Sequence, residues 1–418
     1  EEDRDAEGFR LHLHYNRTIV DVFPTPDRTK LRVFVSDAAR RSGGFSFFGA
    51  TFSMRMLITG ICGFVGSRIA MWLNERGPAG LQLVGIDNLS RPGSAGNLQP
   101  LQARGIDVQV GDQRDSELLD RLGRFDWVID AAAYASVLAG TAGHQSSSAD
   151  LVSNNLQGTC QILELCKRHQ AGLILLSTSR VYSIERLNRL PLVPTGSRWE
   201  IDSDDPSSAV GAIEGWSLEG VGPTFSTGSP ISLYGATKLA SEVMAIEYGV
   251  AYQFPVWIDR CGVMAGAGQF GRIDQGIVAY WLHRWREAKP LRYLGYGGMG
   301  WQVRDMLHPE DLGALILKQI QTGMAAPWES IWNVSGGRES SFSLAELSGW
   351  CRERWGQRVV VEREAEARSQ DVPWLILDAQ ETRDRWNWTP RWTRQAILEE
   401  IAGHADTHPE WLAQCEGH

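Results

Sequence analysis

The sequence predicts an α/β protein: a doubly wound parallel sheet followed by a smaller mixed α/β domain. Three observations carry this prediction. From Arg55 onward, apolar strands, short turns and amphipathic helices alternate, the sequence form of repeated βαβ units. A glycine turn, "TGICGFVG", separates the first strand from the first helix. After about Asp274 the rhythm changes to Trp-rich helices separated by glycine and proline turns.

In chain order, "MLITG" is the first strand and "FVGSRIAMWLNERG" its helix. "LQLVGID", "IDVQVGD", "FDWVIDAAA", "AGLILLSTS" and "PVWIDRCGV" read as further buried strands of a parallel sheet. "NLQGTCQILELCKRH" and "YGATKLASEVMAIEYG" carry apolar residues three and four apart and read as helices. Residues 54–272 thus form the sheet domain, and 273–418 mainly the second domain, interleaved with the end of the sheet. The Gly-, Pro- and Ser-rich stretch 185–228 reads as a loop inserted near the site. Residues 1–53 form an extension with one plausible strand, "LRVFVS". Met54 is the expected natural start; what precedes it is read-through of upstream sequence, a family-specific arm or an addition made for expression.

The chain of 418 residues is 43% hydrophobic and 22% charged, the balance of an ordinary globular protein. Its net charge of -9, without a Lys/Arg block, argues against a nucleic-acid partner and for a small-molecule substrate. No apolar run approaches the roughly 20 residues that span a bilayer, so no membrane role is expected. The six cysteines are scattered without metal-ligand spacing, which predicts reduced thiols, a cytoplasmic location and no metal.

In the glycine turn, Gly60, Gly63 and Gly66, with Phe64 and Val65 opening the helix, let the backbone approach a pyrophosphate at the helix N-terminus. The second strand ends in Asp87, 21 residues after Gly66 (87 minus 66), where a carboxylate can accept from ribose hydroxyls. Its charge favours NAD over NADP, and Asn88 follows it. Asp112, after the third strand, stands where an adenine amino group can be held, unless it is an ordinary turn residue. Tyr234 and Lys238, in "SLYGATK", are four residues apart and share one helix face. A phenol with a pKa of about 10 is a poor base at neutral pH, and a nearby ammonium lowers that value.

The glycine turn, the hydroxyls of "STS" at a strand end, and "YGATK", in this order, resemble the extended short-chain dehydrogenase/reductase family. The resemblance runs from Arg55 to about Arg394. It implies a Rossmann fold holding NAD, with a C-terminal domain that binds a nucleotide-diphosphate sugar. It implies Thr178 as catalytic hydroxyl, Tyr234 as acid/base and Lys238 as its partner on the cofactor ribose. Ala132 would line the cofactor site, and Asn155, in "NNLQGT", matches a helix asparagine of structural or relay role. Family members often dimerise through the helix bearing the tyrosine, so a homodimer is expected. Two positions depart from the family pattern: "DAAA" (Asp130 to Ala133) replaces "HLAA", and Ser183 replaces the Gly after "VY".

Nucleotide-sugar 4,6-dehydratases carry an Asp-Glu pair just after the catalytic Ser/Thr, an acid for the leaving hydroxyl and a base for the neighbouring carbon. Here those positions are Ser179 and Arg180. The expected reaction is therefore epimerisation by transient oxidation, with the cofactor regenerated in each cycle. "GQFGRIDQGIVAYWLHRW" and "GMGWQVRDMLHPEDL" resemble the CDP-paratose 2-epimerase branch. That likeness implies Arg304 at the nucleotide diphosphate, and Arg180, Gln269, Asp274 and Gln275 around the sugar or nucleotide. For Arg304 an ion pair with Asp305 or Asp311 is the alternative, and for Arg180 a surface position. His308 reads as structural, and Trp281, Trp285, Trp386 and Trp388 as core and interface. Epimerisation of UDP-glucose at C4, a net NAD-dependent oxidoreductase and a non-catalytic NAD-binding regulator remain the alternatives.

Overall fold

The computed structural model describes residues 11–15, 18–24, 31–35, 53–141, 147–202, 213–272, 275–323, 329–356, 359–366 and 370–416. Its centre is a sheet of seven strands, here β1 Met54–Thr59, β2 Leu81–Asp87, β3 Asp107–Val110, β4 Trp127–Asp130, β5 Gly172–Thr178, β6 Val256–Cys261 and β7 Ile331–Val334. The spatial order is β7-β6-β5-β4-β1-β2-β3 with all neighbours parallel. The order reverses at β1, between β4 and β2, and ligands bind such sheets in the crevice beyond the strand ends at that point.

The strands are apolar on both faces because helices cover both. Met56 and Ile58 pack on one side with Ile69 and Leu73 of the first helix and with Leu312, Leu315 and Ile316 of the helix Pro309–Thr322. Leu57 and Val128 face the other side, with Ile162 and Leu165 of Gly158–His169 and Ala245 of Ser232–Tyr252. Six strands match the sequence reading. The seventh, β7, is supplied from beyond residue 330.

A second sheet lies past the ends of β5 and β6. Val303–Leu307 is its middle strand, parallel to Val263–Met264 and Trp374–Leu375 and antiparallel to Ser341–Ser343. Helices Ile277–Arg286, Leu344–Trp355 and Arg394–Thr407 enclose its core around Trp281, Trp285, Phe342 and Ile401. Trp386 and Trp388 are buried in the core shared by the first helix and Pro309–Thr322. Strands Leu11–Tyr15, Thr18–Pro24 and Leu31–Val35 form a separate antiparallel sheet, and the third is the expected "LRVFVS" strand.

The stretch 185–228 is not an open loop beside the reaction centre. Two hairpins, Leu192–Thr195 with Arg198–Ile201 and Trp216–Ser217 with Gly220–Val221, brace the back of the second sheet. Leu187, Leu190, Ile201, Val221 and Phe225 share one core with Val181, Tyr182, Val303 and Trp374 to Leu377. Arg198 pairs with Glu346, and Arg338 with Glu200. None of its described residues lines the central cavity.

Candidate functional site

At the C-terminal ends of the parallel strands lies a cavity of about 550 Å³, within the range of small-molecule sites. One end is formed by the glycine turn and the ends of β2 and β3, the other by the second sheet. The turn can close because Gly60 adopts a left-handed φ of 61° and because Gly66 has no side chain. A Cβ on Gly66 would stand 2.3 Å from the Gly60 carbonyl oxygen. Asp87 sits directly below: its carboxylate accepts from the backbone N–H of Cys62 at 2.9 Å and of Leu89 at 2.8 Å. Burial pushes that carboxyl above its usual range, and these bonds hold it back.

Gly60, Gly63, Phe64, Val65, Gly66, Asp87, Asn88, Asp112 and Ala132 all line the cavity. Asn155 does not. It is buried on the π-helical turn Ser153–Gln157, accepts from Tyr134 N at 2.7 Å and donates to Thr237 Oγ1 at 3.1 Å. It therefore fastens the loop after β4 to the helix carrying Lys238 and works from behind the wall. Asp130, the departure from "HLAA", is fully buried and accepts from Thr59 and Thr159 hydroxyls, each at 2.7 Å. A buried carboxylate is tolerable there because both oxygens are satisfied.

Thr178 ends β5 in extended conformation, and its hydroxyl accepts from Arg180 N at 3.2 Å, capping the short turn Ser179–Val181. The helix Ser232–Tyr252 can approach that turn because Gly235 has no side chain; a Cβ would meet the Arg180 carbonyl oxygen at 2.3 Å. This close approach brings the Tyr234 phenol near the Thr178 hydroxyl, close enough for that hydroxyl to oppose the rise of the phenol's pKa. Lys238 lies one turn on, buried and outside the cavity lining. Burial lowers its pKa, opposed by the carboxylates of Asp130 and Glu242. The expected lowering of the Tyr234 pKa is not what the chain itself produces. Burial pushes the phenol up to about 12, and the opposing influences are the Thr178 hydroxyl and the Arg180 charge.

Behind the pair, Glu242 and Arg260 form a buried ion pair at 2.7 Å. Glu242 also accepts from Ser177, and Arg260 reaches the Tyr182 hydroxyl at 3.3 Å. This network fixes both the strand ending in Thr178 and the helix carrying Tyr234.

Toward the second sheet the cavity is cationic. Arg180 lines it half-buried; burial and the neighbouring Arg304 lower its pKa to about 10, so it stays charged at neutral pH. Arg304 pairs with neither Asp305 nor Asp311. Its guanidinium donates to Asp371 at 3.0 Å and to the Val372 and Val303 carbonyls at 2.8 and 2.7 Å. Gln269 and Gln275 also line the cavity, whereas Asp274 lies outside the described residues. His308 is structural: buried, stacked on Trp392 with ring centroids 4.0 Å apart, and 3.2 Å from Glu400.

Sequence reasoning missed Arg91, Gln113, Gln302 and Asp371, all in the cavity wall. Arg91, four residues past Asp87, and Gln113, beside Asp112, were within reach of the motif spacing. Asp371 was not, for it meets Arg304 across 67 residues of sequence. Among the described residues no group of three or more His, Cys, Asp or Glu side chains is suited to a metal ion.

The wall fits a dinucleotide. The glycine turn forms a cradle that a single Cβ would fill, and the buried amide oxygens of Gln113 and Gln269 lack partners among the described residues.

The family model described as the NAD dependent epimerase/dehydratase family matches residues 56–335. The chain is 28% identical to a CDP-paratose 2-epimerase of Salmonella typhi over 299 residues, 70% of this chain and 82% of that protein. It is 27% identical to a UDP-glucose 4-epimerase of Azospirillum brasilense over 358 residues, 82% of this chain and 89% of that protein. A solved dTDP-glucose 4,6-dehydratase of Streptomyces venezuelae with NAD bound superposes with a TM-score of 0.68 at 23% identity, covering 87% of this chain and 100% of the other. With a Rossmann sheet, a glycine cradle at its switch point and a family match over more than half its length, the chain is an NAD-dependent enzyme and belongs to the epimerase/dehydratase family.

Proposed function

We propose that the protein is a nucleotide-sugar epimerase that oxidises one carbinol of its substrate and reduces the ketone from the opposite face. The observation that carries this reading is that Thr178 and Tyr234 stand together in the cavity wall, followed by Ser179 and Arg180 where elimination of water would need an acid and a base. Bound NAD supplies reversible hydride acceptance. The Lys238 ammonium and the positive ring of bound NAD would bring Tyr234 down from its raised pKa to the phenolate, which would take the hydroxyl proton of the sugar as the carbon gives its hydride to NAD, while Thr178 would hold that oxygen through its own hydroxyl. The C–H and O–H bonds break and a C=O bond forms; reversal after the sugar turns inverts the centre. Lys238, buried one turn away, would balance charge near the tyrosine. Glycine-turn amides and Asp87 would bind the dinucleotide, and Arg180 and Arg304 the substrate diphosphate.

The first substrate to test is a CDP-linked 3,6-dideoxyhexose inverted at C2, supported by the likeness of the "QF" and "QVRD" segments and by the Salmonella relative. Incubation with CDP-paratose should give its C2 epimer without net NADH. Inversion of UDP-glucose at C4 would move the reading to the other epimerase, and stoichiometric NADH release would replace it with a net oxidoreductase. The exposed apolar side chains Leu233, Val243 and Val250 along the Tyr234 helix support a homodimer through that helix. The six cysteines, all free thiols, support a cytoplasmic setting.

A further inference from the structure

We propose that Trp411, on the helix Trp411–Glu416, is a positioning residue for the cofactor: it holds Phe270 as a tie between two walls of the cavity and so sets how long the dinucleotide stays bound. The proposal rests on the NAD assignment. Phe270 is buried on the segment that follows the second-sheet strand Val263–Met264. Its ring reaches the loop after β2, where a Cβ on Gly93 would stand 2.9 Å from it. Gly93 has a left-handed φ of 92°, and its neighbours Arg91, Pro92 and Ser94 line the cavity, as Phe270 does. Phe270 also shares a small core with Phe64, the first residue of the helix after the glycine turn, and with Cys415. One side chain thus joins the loop past Asp87, the glycine-turn helix and the wall beyond β6.

The C-terminal helices hold this wall from behind. Trp411 stacks on Phe270 with ring centroids 6.1 Å apart, and its indole N–H donates to the Gln269 carbonyl oxygen at 2.9 Å. His404 meets the same indole edge-on at 4.9 Å. Leu412 lies so close that a Cβ on Gly271 would come within 2.8 Å of it. Further back, Glu400 accepts from Ala267 N at 2.8 Å, while Arg68 of the first helix donates to the Ala267 carbonyl oxygen at 2.7 Å. Trp411, Leu412 and Glu400 all lie beyond the residues 56–335 that match the family. A ligand leaves an enclosed site when its walls part, and that motion can set the rate of release. The Gly93 loop and the Phe270 wall can part by movement of either. Trp411 fixes the wall and leaves only the loop to move.

The test loads full-length protein with NAD, adds an excess of deuterium-labelled NAD and follows replacement of the bound form by mass spectrometry. Trp411→Ala should speed the exchange by about tenfold, the scale of a hydrogen bond and a ring pair lost together. Ile397→Ala empties a buried position on the neighbouring helix Arg394–Thr407, outside the cavity lining, and should leave the exchange rate as it was. Phe270→Leu cuts the tie from its other end and should act as Trp411→Ala does, which keeps the proposal open to refutation if the tryptophan variant does not fold. An unchanged rate in Trp411→Ala, or in Phe270→Leu where the former does not fold, overturns the proposal. Equal acceleration by Ile397→Ala overturns it too, because general loosening would then account for the release. Failure of the unaltered protein to bind NAD at all overturns the cofactor assignment with it.

Discussion

Asp259 gives the clearest handle on how this fold depends on pH. It lies on β6, two residues before the cavity-lining Cys261, and is fully buried. Its Oδ1 accepts from Gln319 at 2.6 Å, while its Oδ2 and the Gln319 oxygen have no partner among the described residues. Burial raises its pKa from 3.8 to about 7. The folded state therefore holds a proton that the unfolded chain has lost between about pH 4 and pH 7, and stability falls as pH rises through that window. At about 1.36 kcal/mol per pH unit, falling off near the folded value, the loss is about 2 kcal/mol between pH 5 and pH 7 and approaches about 2.6 kcal/mol by pH 8. Replacing Asp259 by Asn removes the titration and supplies an amide that can donate to the idle Gln319 oxygen. With an unfolding entropy of about 2.1 cal/mol/K per residue, the melting-temperature gap between Asp259→Asn and the unaltered protein should widen by about 3 °C from pH 5 to pH 8. Thermal melts of both proteins across that range check it. A gap that stays constant with pH would refute the assignment of the titration to Asp259.

Tyr234→Phe should lower kcat by about 10²- to 10⁴-fold while the protein keeps its nucleotide, measured by turnover and by nucleotide content after purification. Gly66→Ala drives a Cβ to 2.3 Å from the Gly60 carbonyl oxygen, so purified protein should have lost most of its bound NAD. Glu242→Ala leaves Arg260 buried without its carboxylate and should cost about 3–5 kcal/mol in denaturant unfolding. Arg304→Lys exchanges a planar fork for a point charge; KM for the nucleotide sugar should rise about tenfold with little change in kcat.

Features governed by local periodicity and turn chemistry were open to reading. Six of the seven strands follow from apolar runs bounded by turns, and the glycine turn announces itself by spacing between strand and helix. Thr178, Tyr234 and Lys238 stand out through the order of "STS" and "YGATK" after the glycine turn, a likeness to a known family that periodicity alone does not supply. Features set by distant partners were closed. The strand Ile331–Val334 is only four residues long and gains its place from β6, 73 residues earlier in the pairing of Cys261 with Val334 (334 minus 261). The hairpins of 185–228 read as a loop because their apolar partners, Val303 and Trp374 to Leu377, lie 82 or more residues away (303 minus 221). Asn155 was visible as a motif, but whether it touches ligand or holds the wall depends on Tyr134 and Thr237. That Arg114 folds back onto Asp112 depends on side-chain direction, which no periodicity encodes.

The Arg304–Asp371 contact has a consequence for turnover. Before any phosphate arrives, the guanidinium already has an internal competitor for its fork. On the proposed function, an incoming diphosphate would gain only the difference between its own bonds and those it displaces, and the freed carboxylate would wait nearby to reclaim the cation. The arrangement would then trade tight capture for quick release.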